Sequence, residues 1–138
     1  MSAQECIFCR IVSGQIPATK IYEDDVVVAF LDIGAISDGH TLVMPRQHFE
    51  KVHSCPPELL AQIWTRIGKI AGAVASAVGS DGYNVLCNNG RVAGQVVDHL
   101  HFHIVPRRSG DGVFTQWPSF KYRPGQVEVI AEKIRKHL

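Results

Sequence analysis

Three alternating histidines constrain this chain more than anything else in it. In His99-Leu100-His101-Phe102-His103-Ile104-Val105-Pro106, imidazoles take turns with apolar side chains. A period of two fits a half-buried β-strand, whose successive side chains point to opposite faces. The pattern predicts that all three histidines share one face, open to water, while Leu100, Phe102 and Ile104 enter the core. At about 3.3 Å per residue, histidines two positions apart sit roughly 6.6 Å apart, near enough to converge on one small charged group.

A chain of 138 residues fits one domain, 1–138, whose core needs no disulfides. The formal net charge is +1 and no long run of one sign occurs, which gives no argument for nucleic acid or membrane partners. Met1-Ser2-Ala3-Gln4-Glu5 has no basic segment leading into an apolar one, and no apolar run nears the roughly 20 residues that span a bilayer. The expectation is a soluble, cytoplasmic protein whose four cysteines stay reduced. Cys55 and Cys87 stand alone, whereas the Cys-x-x-Cys spacing of Cys6 and Cys9 lets two thiolates hold one zinc ion or serve as a redox pair. The residues around that pair do not look like a thioredoxin βαβ unit, which lowers the redox option.

In chain order, residues 6–12 form a short apolar knuckle ended by Gly14 and Pro17. Residues 20–23 and 26–31 read as a hairpin around Asp24-Asp25, its second strand apolar enough to be central, with Asp32 at that strand's end. Residues 40–45 make a third strand closed by Pro45. After Pro56-Pro57, Leu59, Leu60, Ile63, Trp64, Ile67, Ile70, Ala71, Val74 and Val78 recur at helical spacing, and Gly79 is a natural stop. Residues 83–87 are a fourth strand running into the turn Asn88-Asn89-Gly90, and the loop 91–98, with Gly94-Gln95, delivers the histidine strand. A last helix spans 127–137. The sum is an α+β domain: a five-stranded antiparallel sheet with one long helix, a C-terminal helix and an N-terminal knuckle.

Neutral imidazoles can bind a transition metal, or act as nucleophile, acid/base and anion donor around a phosphoryl group. A catalytic metal asks for further carboxylates or imidazoles, and only Asp98 adjoins the motif. The barrel metallohydrolases that carry a His-x-His pair need about 250 residues, more than this chain has.

The motif resembles the signature of the histidine triad family. The likeness runs through Cys6-Ile7-Phe8-Cys9, Phe30-Leu31-Asp32-Ile33, His40-Thr41-Leu42-Val43-Met44-Pro45 and Gly94-Gln95 to Trp117-Pro118, and is greatest to its Hint branch. The resemblance implies a hydrolase or transferase acting on the α-phosphate of a purine nucleotide, AMP or GMP, joined to an amine or another leaving group. His101 would be the nucleophile, forming a nucleotidyl-histidine that water resolves, with no catalytic metal. His103 would donate to the phosphate, and His40 would pack against the nucleophile and fix its tautomer. Phe8, Ile11, Ile33 and Leu42 would surround the base, Asp32 would accept from the ribose hydroxyls, and Asn88, Gly94 and Gln95 would surround the phosphate and leaving group. Val96 departs from the animal Hint pattern, where a serine hydroxyl assists the departing group, and this leaves the backbone or Gln95 to do that work.

The resemblance also implies a structural zinc held by Cys6, Cys9, His48 and His99, the last counted both with the catalytic triad and as the ligand bracing its strand. It implies a homodimer with joined sheets and Trp117 near the partner's site. Two alternatives remain: dinucleoside polyphosphate hydrolysis, as in the Fhit-like branch with its Pro-Arg after the triad, and a nucleotide-binding regulatory module with incidental turnover. The galactose-1-phosphate uridylyltransferase relatives carry glutamine where this chain has His103.

Overall fold

The computed structural model describes Ser2 and residues 5–138; Met1, Ala3 and Gln4, part of the stretch searched for a leader, lie outside the described residues. The sheet has five strands, β1 (Lys20–Glu23), β2 (Val27–Leu31), β3 (Thr41–Pro45), β4 (Gly82–Leu86) and β5 (Phe102–Arg107), in the order β1-β2-β3-β5-β4 with every neighbour antiparallel. Among the described residues three α-helices accompany it: α1 (Ile7–Val12), α2 (Pro57–Val78) and α3 (Gln126–Arg135). This is the α+β architecture expected. Prolines prepare the start of α2, and Gly79 ends it in the left-handed conformation, φ 62°. No helix among the described residues is long and apolar enough to cross a membrane.

Period-two alternation sorts the sheet into two faces. Val27, Ala29, Val43, Phe102 and Ile104 pack with Leu100 against Ile63, Ile67, Ile70, Ala71 and Val74 of α2. Val28, Phe30, Leu42 and Met44 turn the other way, onto Cys6, Phe8 and Ile11 of the N-terminal knuckle. Trp64 stays half-exposed, yet its ring meets Phe102 edge-on at 5.3 Å, so the helical stripe and the histidine strand grip each other.

Two expectations are corrected here. The regular strand starts at Phe102, because pairing with β3 begins at Val43↔Phe102; His99 and His101 precede it, and the three histidines do not share one strand. Nor is their face wet: His99 is 0 % and His101 6 % exposed, because α1 closes over that end of the sheet. Helix α3 has the apolar periodicity expected of a packed helix but buries no residue within the chain.

Candidate active site and metal centre

The histidines are joined by hydrogen bonds whose fixed ends assign their protons. The backbone N–H of Ile36 donates to His40 Nδ1 at 3.0 Å, which leaves the His40 proton on Nε2. That N–H then donates to His103 Nδ1 at 2.9 Å, so His103 carries its own proton on Nε2. His101 Nδ1–H donates to the main-chain carbonyl of His99 at 2.6 Å, which leaves a lone pair on His101 Nε2. The rings of His101 and His103 lie 5.1 Å apart. One therefore offers a nucleophilic nitrogen and its neighbour an N–H.

Burial keeps these rings neutral. It lowers the values of His40 and His101, against the pull of the Asp32 carboxylate, and for His101 also against its bond to the His99 carbonyl. It takes His103 down to about 4, helped by repulsion from His101 and His40. The family resemblance implies His40 packed against His101; here its ring meets His103 instead, since β3 and β5 pair with Leu42 opposite His103.

A cavity of about 380 Å³ opens beside this pair. Phe8, Ile11, Asp32, Ile33, Leu42, Gly94, Val96, His101 and His103 line it, as do Ile7, Ile16, Pro17, Ala18, Thr19, Phe30, Leu31 and Val97, which sequence reasoning did not single out. The signal for Phe30 and Val97 was faint, because an apolar residue on a buried strand or loop reads as core. Phe8, Ile11 and Leu42 are both core and lining. Asp32 stands at the end of β2, its Oδ1 accepting the Gly34 N–H at 2.8 Å and its Oδ2 3.6 Å from His40 Nε2.

Two residues expected around the phosphate do other work. Gln95 is only 2 % exposed; its Oε1 accepts the Gly90 N–H at 2.8 Å and its Nε2 donates to the Glu50 carbonyl at 2.6 Å, so its amide staples the loop. Asn88 Nδ2 donates to the Gly94 carbonyl at 3.4 Å, and neither side chain lines the cavity. Gly94 itself adopts φ +92°, and a Cβ there would stand 3.2 Å from Asn88 Nδ2, so the position favours glycine on both counts. Val96 is 78 % exposed on the rim and offers no hydroxyl.

Behind the triad, Cys6, Cys9, His48 and His99 bring their ligand atoms within 4.8 Å of one another. His99 Nδ1 lies 3.5 Å from each sulfur and 3.3 Å from His48 Nδ1, and Cys9 Sγ lies 3.4 Å from His48 Nδ1. A tetrahedral zinc with bonds of about 2.3 Å to sulfur and about 2.0–2.1 Å to nitrogen separates sulfur from nitrogen by about 3.5 Å and two nitrogens by about 3.3 Å. The donor set fits that ion. His99 Nε2–H donates to the Pro45 carbonyl at 2.9 Å, which turns the lone pair of Nδ1 toward the sulfurs. Burial, with the neighbouring Cys6 sulfur, pushes the Cys9 thiol up to about 11, so two thiolates here call for a cation between them.

A second cluster, Asp32, His40 and His103, is equally tight but fails the same test. The Ile36 N–H occupies His40 Nδ1, so His40 Nε2 carries a proton where a metal would need a lone pair. Its closeness is that of a hydrogen-bond chain.

The chain is similar to known proteins over most of its length. A family model described as the HIT domain matches residues 13–110. Adenosine 5'-monophosphoramidase hnt1 of Schizosaccharomyces pombe is 44% identical over 130 residues, covering 94% of this chain and 95% of that one. A crystal structure of a member of the HIT family from Bacillus subtilis superposes with a TM-score of 0.90 at 42% identity, covering 97% of each chain. A zinc-bound histidine triad family protein from Mycobacterium smegmatis gives a TM-score of 0.76 at 40% identity, covering 92% of this chain and 88% of its own.

Proposed function

The chain belongs to the HIT-domain family, and from that premise we propose that it is a hydrolase that releases AMP or GMP from conjugates in which the α-phosphate is bonded to an amine or another leaving group. The observation that carries this reading is the proton assignment: a lone pair on His101 Nε2 beside an N–H on His103 Nε2, at one end of an apolar cavity with a carboxylate on its wall. Phe8, Ile11, Ile33 and Leu42 take the base by apolar contact, and Asp32 accepts from the ribose hydroxyls.

In the first step the His101 Nε2 lone pair attacks the α-phosphorus, and the bond to the leaving group breaks with its electron pair going to that group. The Nδ1–H bond to the His99 carbonyl stabilises the positive charge the imidazole acquires. His103 Nε2–H donates to a phosphoryl oxygen as charge moves onto it, an interaction whose loss typically costs about 10²–10³ in rate. A departing amine must gain a proton. Val96 has no hydroxyl, the Gln95 amide is engaged and each histidine N–H is already donated, so that proton comes from water. Water then attacks phosphorus, breaks the P–N bond to His101 and frees the nucleotide.

Zinc is the ion the Cys6, Cys9, His48 and His99 set suits, and when bound it supplies a crosslink between the knuckle and the triad segment, with no open position for substrate. The reading also includes a homodimer. Its support is the C-terminal segment, where Trp117 is 82 % exposed and no residue of α3 is fully buried within its own chain. The free cysteines suit a reducing cytoplasm.

The test is AMP release from an adenosine phosphoramidate by purified protein beside His101→Ala. Release should fall by about 10³-fold or more with unchanged melting, and acid quenching of the wild type should trap a nucleotidyl adduct that the variant lacks. AMP binding without turnover in either would instead make the protein a nucleotide-binding module.

A further inference from the structure

We propose that the metal centre is a positioning device for the nucleophile and the nucleotide pocket, so that its occupancy sets the affinity for AMP. The inference rests on the metal reading above. Two routes lead from the ligands to the site.

The first runs through His99. Its ring faces Cys6, Cys9 and His48, while its main-chain carbonyl is the acceptor that orients His101. Residues 99–101 precede β5 and have no register pairing with β3, so the sheet ladder does not hold that carbonyl. Three contacts hold it: His99 N–H to the Val97 carbonyl, Leu100 N–H to the Phe49 carbonyl, and the ring, anchored at Nε2 by Pro45. The ring's other nitrogen is anchored only through the ligand cluster.

The second route runs through α1. Cys6 caps this helix, its sulfur accepting the Cys9 N–H at 3.4 Å, and between the two cysteines the chain places Ile7 and Phe8 in the cavity wall. The Phe8 ring packs edge-on against both His99, at 6.1 Å, and His101, at 5.0 Å. Without a cation, the four-point crosslink gives way to single hydrogen bonds, a His48 Nδ1–H or a cysteine thiol donating to His99 Nδ1 over 3.3–3.5 Å. That weaker hold lets the His99 ring and the Cys6–Cys9 turn shift, and with them the His101 acceptor and the Phe8 wall.

His48 gives the cleanest perturbation, being a ligand that does not line the cavity. Wild type, His48→Ala and His48→Cys are compared for metal content, melting, AMP affinity by calorimetry and the proton resonance of His101 Nδ1–H in histidine-labelled protein. The expected result is a shifted or broadened resonance and at least tenfold weaker AMP binding in His48→Ala, both restored in His48→Cys, which again offers four ligands. Reconstitution with cadmium, a larger ion with the same ligand preference, keeps the crosslink if His48→Ala fails to fold, and should still shift the resonance. A resonance and an affinity indifferent to these changes overturn the proposal, leaving a crosslink that serves stability alone. Wild type that binds AMP normally but carries no metal overturns the metal reading with it, whereas metal-loaded wild type that does not bind AMP points to failure of the nucleotide reading.

Discussion

Proton placement is the finest feature of the site, and it follows from three backbone groups: the Ile36 N–H and the carbonyls of His99 and Pro45. Since burial lowers the His103 value from 6.5 to about 4, the folded chain binds fewer protons than the unfolded one between those values. Stability is therefore full above pH about 6.5 and falls as the pH is lowered toward 4, which thermal melts across that range will register. His101 is lowered too, so the acid limb of kcat/KM should lie below 6.5, the ordinary value for a histidine. His40 does not itself line the cavity, but its N–H holds the tautomer of His103, which does; His40→Ala should cost on the order of tenfold in kcat with KM little changed, measurable in steady-state kinetics.

Strand β5 works by opposite sides at once. Phe102 and Ile104 weld it to α2, so His103 between them inherits the rigidity of the core cluster they belong to. Phe102→Ala should cost about 3–5 kcal/mol by denaturant melt, because it empties a site that Trp64 caps only from the edge. The loop before the strand is held by Gln95 rather than by its own ladder; Gln95→Ala removes two hydrogen bonds and should lower stability by about 1–3 kcal/mol while also reducing kcat. In the β1–β2 turn, Asp24 accepts from Val26 N–H and Val27 N–H at 2.8 Å each, from Tyr22 and from Arg66 of α2. Burial opposes its ionisation, yet these donors hold its carboxyl far below the usual carboxylate range, so its contribution is present at neutral pH and is lost in strong acid.

At the scale of the whole molecule, exposed apolar side chains recur through the C-terminal segment, Trp117 and Phe120 before α3 and Val127, Val129 and Ile134 on it. Sedimentation equilibrium should return twice the chain mass, and Trp117→Ala should raise the dimer dissociation constant; a monomer at all concentrations would contradict the joined-sheet arrangement. Helix α3 was legible as a helix because its apolar periodicity is local, whereas how far that face is covered depends on elements distant in sequence.

The sequence alone determined what period and spacing can encode: the strands, the long helix with its proline start and glycine stop, the opposite destinations of Phe102 and His103, and the Cys-x-x-Cys pair. It also carried the residues of the cavity in outline, through the ordered likeness to a known family. Only the tertiary structure decided which imidazole touches which, that His40 meets His103, that the strand begins after His101, and that Gln95 is buried in its loop. Those outcomes depend on strand register and on backbone groups distant in sequence. Local pattern records neither, because hydrogen-bond partners are chosen by which elements come together in space.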